Sequence, residues 1–413
     1  MEDGRLKIAA PGVRSLSASD GERAGVRCAA SSSTLNPQPP VAPKQGEGGS
    51  TLNRLKGLRV CFLAGTLGQG GAERQLFYML QALQEAGACA KVLSLSQGEF
   101  WEARIRGLGI EVSYVGGSSS RLQRLIKIVR EVRRFKPHIV QSQHFYVNLY
   151  AAVAARLSGC RDIGAIRSNV ISEQAGIGGL LGGASLRMPR MLASNSRAAV
   201  RNLVNLGVSE SRLFFLPNVV DNSHFAPGSS PQADSFGILG VGRLVPAKRF
   251  DLFLEVVAKL NLKFPAKGII AGDGPLRKEL EAHARQLGLL PGRVEFVGRV
   301  DDAGALYRRA NLFLLTSDHE GTPNVVLEAM ASGVPVVGTR VGDVPDLLGE
   351  GTRGRLAAPG DLNGLASVVA ELLGDPQTRA RLANHALAYV QSQHSHTALK
   401  DHLTKLYSLT LTT

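Results

Sequence analysis

From Leu58 onward, short apolar runs alternate with longer segments whose apolar residues recur at helical spacing. LRVCFLAG is the first such run; it ends in a glycine-rich loop and gives way to the amphipathic AERQLFYMLQALQEAG. AKVLSLS, GIEVSYV, HIVQSQ, DIGAIRS and RMLASNS continue the series as strands. The stretch LPNVVDNSHFAPGSSPQADS interrupts it with three prolines and many small polar residues. The alternation then restarts with FGILGVG, KGIIAG, RVEFVG, NLFLLT and VPVVGT. Short buried strands separated by helices argue for parallel sheets covered on both faces. The pattern predicts an α/β protein of two doubly wound domains, 54–220 and 236–390, joined by a linker over 221–235. A C-terminal helix within 391–413 is expected to pack back on the N-terminal domain.

Residues 1–53 break the pattern at the other end: they contain no Phe, Trp or Tyr and are rich in Ser, Gly and Pro. Such a segment cannot bury enough apolar surface to offset its ordering entropy, so a disordered leader is expected.

Composition narrows the class. A chain of 413 residues, 44% hydrophobic and 20% charged, can bury two ordinary globular cores. No uninterrupted apolar run reaches the roughly 18 residues of a membrane span, and the N-terminus has no signal-peptide core. Cys28, Cys61, Cys89 and Cys160 lie far apart, offering neither a zinc site nor a disulfide framework, and a reducing, cytoplasmic setting is expected. A net charge of +14 favours acidic partners, whereas 5% aromatics and no nucleic-acid module argue against nucleic acid. Segment 121–136, RLQRLIKIVREVRRFK, holds seven basic residues and one acidic. Leu122, Leu125, Ile126 and Val129 share one helical face, with Arg124, Lys127, Arg130 and Arg134 largely opposite. Two readings stay open: a helix packed on the sheet, or a peripheral contact with an anionic membrane at its inner face.

Candidate chemistry lies past the carboxyl ends of the strands, where open parallel sheets bind ligands. In GVGRLVPAKRFD, Arg243 and Lys248 stand beside a helix start expected near Ala247, a suitable place for a diphosphate. AGDGP, 271–275, is another strand-end turn. EGTPNVVLE places Glu320 past a strand and Glu328 on the following helix, with the backbone N–H groups of Gly321, Thr322, Asn324 and Val325 between them. Donors flanked by two carboxylates suit a nucleotide sugar, with ribose at one end and hexose at the other; the plainer reading is a pair of structural glutamates. In AGTLGQGGAER the dinucleotide spacing fails, because Glu73 stands where a third glycine would. What remains is a loop able to approach a ligand closely. His144 and Arg167 are further strand-end candidates in the first domain.

GVGRLVPAKRFD, AGDGPLRKELE, VEFVGRV and SDHEGTPNVVLEAMASGVPVVGTRVGDVPDLL, in that order, resemble the retaining glycosyltransferases of family 4. GGAERQL, LASNSRAAVRNLVNLGV and LPNVVDNSHFAP resemble the family's first-domain loop, late helix and interdomain segment. The resemblance spans 58–390 and implies the GT-B architecture, two Rossmann-like domains facing across a cleft. It implies a nucleotide-diphosphate sugar donor and a glycan, lipid-linked or small-molecule acceptor. Arg243 and Lys248 would bind the donor diphosphate, Glu328 the ribose and Glu320 the transferred sugar. Gly321, Thr322, Pro323 and Asn324 would surround that sugar, Gly70 and Gly71 would admit the donor, and His144 would lie near the sugar. Val297 and Gly298 would sit by the base. No cofactor or metal is expected, in keeping with the absence of a D-x-D site.

The chain departs from the family pattern twice. PNGVD becomes PNVVD, placing Val219 where a flexible glycine is usual, and GGxPE becomes GDVPD, introducing Asp343 and Asp346. The segment 171–188 is unusually rich in glycine. A nucleotide-sugar 2-epimerase of the same fold and a non-catalytic nucleotide-sugar binder stand as alternatives.

Overall fold

The computed structural model describes residues 54–117, 120–167, 178–228, 236–300 and 302–412. The expected leader, the end of the linker from 229, and residues 171–177 of the glycine-rich segment lie outside the described residues.

Two parallel sheets form. The first contains β1 (Arg59–Ala64), β2 (Cys89–Ser94), β3 (Glu111–Tyr114), β4 (Ile139–Ser142), β5 (Arg161–Ile166), β6 (Met191–Ser194) and β7 (Leu213–Phe215). Its order is β3-β2-β1-β4-β5-β6-β7. The second contains β8 (Phe236–Val241), β9 (Ala266–Ala271), β10 (Val294–Gly298), β11 (Leu312–Leu315), β12 (Val336–Thr339) and β13 (Arg355–Ala357). Its order is β10-β9-β8-β11-β12-β13. Val60 through Ala64 of β1, and all of β11, are buried, as strands covered on both faces must be. The strand order reverses between β1 and β4 and between β8 and β11, which opens a crevice at the carboxyl ends of each pair.

The chain crosses between the sheets twice, and the crossings are joined. His394, between helices Pro376–Gln393 and His396–Thr412, is buried, and its Nδ1–H donates to the Asn218 carbonyl at 2.6 Å. Val220 N–H returns a bond to the His394 carbonyl at 2.9 Å. Burial pushes the His394 pKa down to about 4, so the ring is a neutral donor here. Val219, the departure from glycine, is buried and clamped by Gln75, which donates to its carbonyl and accepts from its N–H, each at 2.8 Å. The final helix joins the first domain's core: Leu399, Leu403 and Leu406 pack with Val60, Phe62 and Leu80. Within that core the Tyr407 hydroxyl donates to Gln141 at 2.8 Å.

The basic helix, Arg121–Phe135, is packed differently from the face expected of it. Ile128, Val129 and Val132 are buried, with Leu125 partly so, a stripe at i, i+3, i+4 and i+7. That rotation leaves Leu122 65% and Ile126 60% exposed, one turn apart, beside the exposed Arg121, Lys127 and Arg130.

Candidate active site

A cleft of about 620 Å³ lies between the two crevices. Glu320, Gly321 and Thr322, past the end of β11, line one wall; Asn195, Ser196 and Asn202, past the end of β6, line the other. Gly71, Asn324 and Arg167 also reach it.

Lys248 meets Glu320 of the cleft wall without itself lining the cleft, Nζ to Oε1 at 2.5 Å, and the Ser317 hydroxyl donates to the same oxygen at 2.7 Å. The two side chains come from opposite sides of the β8/β11 switch point. Helix formation near Ala247 is not what delivers Lys248. Pro246–Lys248 is a single 3-10 turn, Arg249 adopts the left-handed conformation at φ 49°, and the α-helix begins only at Phe250. Arg249 is held there by Asp251 at 3.0 Å and Asp318 at 3.3 Å, ion pairs that offset the cost of a non-glycine residue in that region. The Thr316 hydroxyl, within 3.0 Å of the Lys248 and Arg249 carbonyls, anchors the turn from the end of β11. Arg243 is exposed and makes no ion pair among the described residues. Among the described residues, the N–H groups of Gly321 and Thr322 donate to no backbone acceptor.

Glu328 is not on the cleft wall. Although four residues after Asn324, it is 3% exposed and pairs with Arg74 at 2.7 Å across the domains, while the Tyr307 hydroxyl donates to its other oxygen at 3.0 Å. Burial works against the charge on Arg74, but the adjacent carboxylate outweighs it and raises the guanidinium pKa. Burial, with Glu328 alongside, likewise holds the Tyr307 hydroxyl far above its ordinary range.

His144 also has both ring nitrogens engaged. Nδ1 accepts from Gly65 N–H at 3.1 Å, which puts the proton of the neutral ring on Nε2, 2.9 Å from Glu73 Oε1. Tyr146 stacks on the ring. Glycine at 70 and 71 has a geometric cause: a Cβ at 70 would lie 2.1 Å from Glu73 Oε2, and one at 71 would lie 2.6 Å from Asn324 Nδ2. Gly71 thus lets the first domain touch the second. Val297 and Gly298 end β10, two strands from β8 and away from the cleft lining, with Gly298 at φ +72°.

The cleft therefore gathers Glu320, Gly321, Thr322, Asn324 and Gly71, with Lys248 tied to it through Glu320 and Pro323 between its lining neighbours, and leaves Glu328 and His144 behind its walls. Asn195, Ser196 and Asn202 carry no local signal of their own, although they lie in the LASNSRAAVRNL stretch that resembles a family helix. Arg74, the partner of Glu328, sits in GGAER, where the glycines rather than the charge form the visible pattern. Among the described residues no group of three or more His, Cys, Asp or Glu side chains is placed to hold a metal.

Two doubly wound domains with a cleft at their facing switch points define the GT-B architecture. A model of the family Glycosyl transferases group 1 matches residues 235–375, and one of Glycosyltransferase Family 4 matches residues 69–224. The chain belongs to the family-4 glycosyltransferases. It is 28% identical over 348 residues to the GalNAc-alpha-(1->4)-GalNAc-alpha-(1->3)-diNAcBac-PP-undecaprenol alpha-1,4-N-acetyl-D-galactosaminyltransferase of Campylobacter jejuni, covering 80% of this chain and 92% of that protein. It is 27% identical to a phosphatidylinositol N-acetylglucosaminyltransferase component of Arabidopsis thaliana, over 68% of this chain, and spans only 66% of that protein's length. The crystal structure of Anabaena Alr3699/HepE in complex with UDP superposes with a TM-score of 0.76 at 21% identity, over 85% of this chain and all of that one.

Proposed function

We propose that this glycosyltransferase moves a hexosyl group from a nucleotide-diphosphate sugar to a glycan or lipid-linked acceptor, with retention of anomeric configuration. The observation that carries the reading is the Lys248–Glu320 pair at the wall of the interdomain cleft, with the N–H groups of Gly321 and Thr322 beside Glu320. A cation, a carboxylate and backbone donors around one point suit a diphosphate joined to a polyhydroxylated ring. Two relatives act on lipid-linked acceptors by name, and HepE binds UDP.

In this reading Arg243 and Lys248 compensate the charge that develops on the leaving diphosphate, a task assigned to them rather than to a metal. Glu320 accepts from hydroxyls of the transferred sugar. As the C1–O bond to phosphate breaks, the acceptor oxygen bonds C1 on the same face, and the acceptor proton passes to the departing phosphate oxygen. Glu328 takes the ribose, Val297 and Gly298 flank the base, and Gly70 and Gly71 keep the first-domain loop close. His144, bound at both nitrogens, acts by fixing the loop from Gly65 to Glu73 beside the sugar.

Calorimetric titration of the full chain with UDP, GDP, ADP and their sugar conjugates is expected to show selective binding of one nucleotide series. Product analysis by NMR then separates transfer from epimerisation: a donor converted to its 2-epimer without acceptor would replace this reading by the epimerase one.

The acceptor class has a structural counterpart. Leu122 and Ile126 protrude from a helix of exposed arginines and lysines, the arrangement that inserts apolar side chains among anionic headgroups. The proposed location is peripheral, at a cytoplasmic membrane face; among the described residues no helix is long and apolar enough to cross a membrane. The chain is expected to float with vesicles containing phosphatidylglycerol and not with pure phosphatidylcholine. Leu122→Asp with Ile126→Asp should abolish flotation; flotation unchanged by the pair would rule the helix out as the contact.

A further inference from the structure

Asp343 is 2% exposed and reaches across the domain boundary. Its Oδ1 accepts from the Ser196 hydroxyl at 2.9 Å and Ala198 N–H at 2.8 Å; its Oδ2 accepts from Arg197 N–H at 2.9 Å. These donors open the first-domain helix Arg197–Asn205, so a carboxylate from one domain caps a helix of the other. Ser196 supplies the helix's own cap, accepting from Ala199 N–H at 3.1 Å. On the second-domain side, Asp343 N–H donates to the Gly321 carbonyl at 3.0 Å. The Thr322 hydroxyl lies 2.6 Å from both Asp343 Oδ2 and the Asn195 carbonyl, and its single proton goes to one of them. Every hydrogen-bond partner of the carboxylate therefore belongs either to the Asn195–Ala198 wall of the cleft or to the Glu320–Thr322 loop facing it.

We propose that Asp343 is a positioning residue for transfer: it sets the acceptor-side wall against the sugar-contacting loop, and the cleft keeps its working geometry only while this carboxylate is engaged. The inference rests on the assignment of Glu320 and its loop to the transferred sugar. Its physical basis is the cost of a buried carboxylate, which is met chiefly by three donors on the opposite domain. Separating the domains strips Asp343 of its three first-domain donors and leaves two helix N–H groups without partners. Asp346 supports the same joint from the rim, pairing with Arg201 of that helix at 3.0 Å. Asp343 stands where the family pattern GGxPE has its second glycine, and Asp346 where it has glutamate.

The test pairs small-angle X-ray scattering of the ligand-free full chain with steady-state kinetics, for Asp343→Gly and Asp343→Asn. Asparagine keeps the side-chain volume and one acceptor, and carries the test if the glycine variant does not fold. The expected result is a larger radius of gyration, and a kcat lowered by roughly 10²-fold, the scale of loss for about 1 Å of misplacement, with nucleotide binding not weakened. A folded Asp343→Asn with wild-type scattering and kcat overturns the proposal. So does a parallel loss of kcat, Kd and melting temperature, which marks a merely structural residue. The scattering difference does not depend on the chemistry, so it would persist even if the nucleotide-sugar reading failed and no turnover could be measured.

Discussion

Lys248→Ala is expected to lower kcat by about 10²–10³-fold while changing the affinity for the intact donor far less. The side chain sits 2.5 Å from Glu320, which lines the cleft, yet is 26% exposed, so it can turn from the carboxylate to a phosphate oxygen without leaving its turn. Charge on the diphosphate grows as the glycosidic bond breaks, so a cation there favours the transition state over the bound donor. Removing it also leaves Glu320, 8% exposed, with Ser317 as its remaining side-chain donor. Single-turnover kinetics with saturating donor would measure the effect. Wild-type turnover in a correctly folded variant would exclude Lys248 from the chemistry.

The second large effect concerns Glu328. Ribose hydroxyls can reach this carboxylate only by displacing Arg74 from it, because Arg74 and Tyr307 engage its two oxygens. Glu328→Ala should therefore weaken nucleoside diphosphate binding by about 10- to 100-fold, the worth of roughly 1.5–3 kcal/mol in hydrogen bonds to a charged group. Arg74→Ala should act in the opposite sense: it lowers the melting temperature by leaving a buried carboxylate unpaired, yet tightens nucleotide binding by removing the competitor. Calorimetry on both variants distinguishes the roles. Equal affinity in Glu328→Ala and wild type would remove the ribose assignment, and weakening in both would make the ion pair a single binding unit.

Both predictions turn on partners that are distant in the chain. The run NLFLLTSDHEG shows a strand followed by a turn, and hence where Glu320 stands, because uniform apolarity and a following Gly-Thr-Pro are local signals. It does not show that Lys248, 72 residues earlier, arrives at the same point. That contact requires β8 and β11 to be neighbours, a consequence of strand order. Pro-Ala-Lys reads locally as a helix start, which is why a helix is expected at Ala247 and found only from Phe250. Asp251, Asp318 and Thr316 stabilise a left-handed Arg249 that propensity disfavours. For the basic helix, the spacing pointed to a stripe through Leu122, Leu125, Ile126 and Val129, and packing instead buries the one through Leu125, Ile128, Val129 and Val132.

The sequence by itself determined the two doubly wound domains and the strand ends that carry Arg243, Lys248, His144 and Glu320, because periodicity and turn chemistry act within a few residues. Its motif order also carried the resemblance to family 4. Only the tertiary structure decided that Glu328 faces Arg74, that His144 has no free nitrogen, and that Asp343 caps a helix of the other domain. Each of these depends on residues from both sides of a sheet or a cleft, and a buried charge takes its role from whatever donors the fold brings within about 3 Å of it.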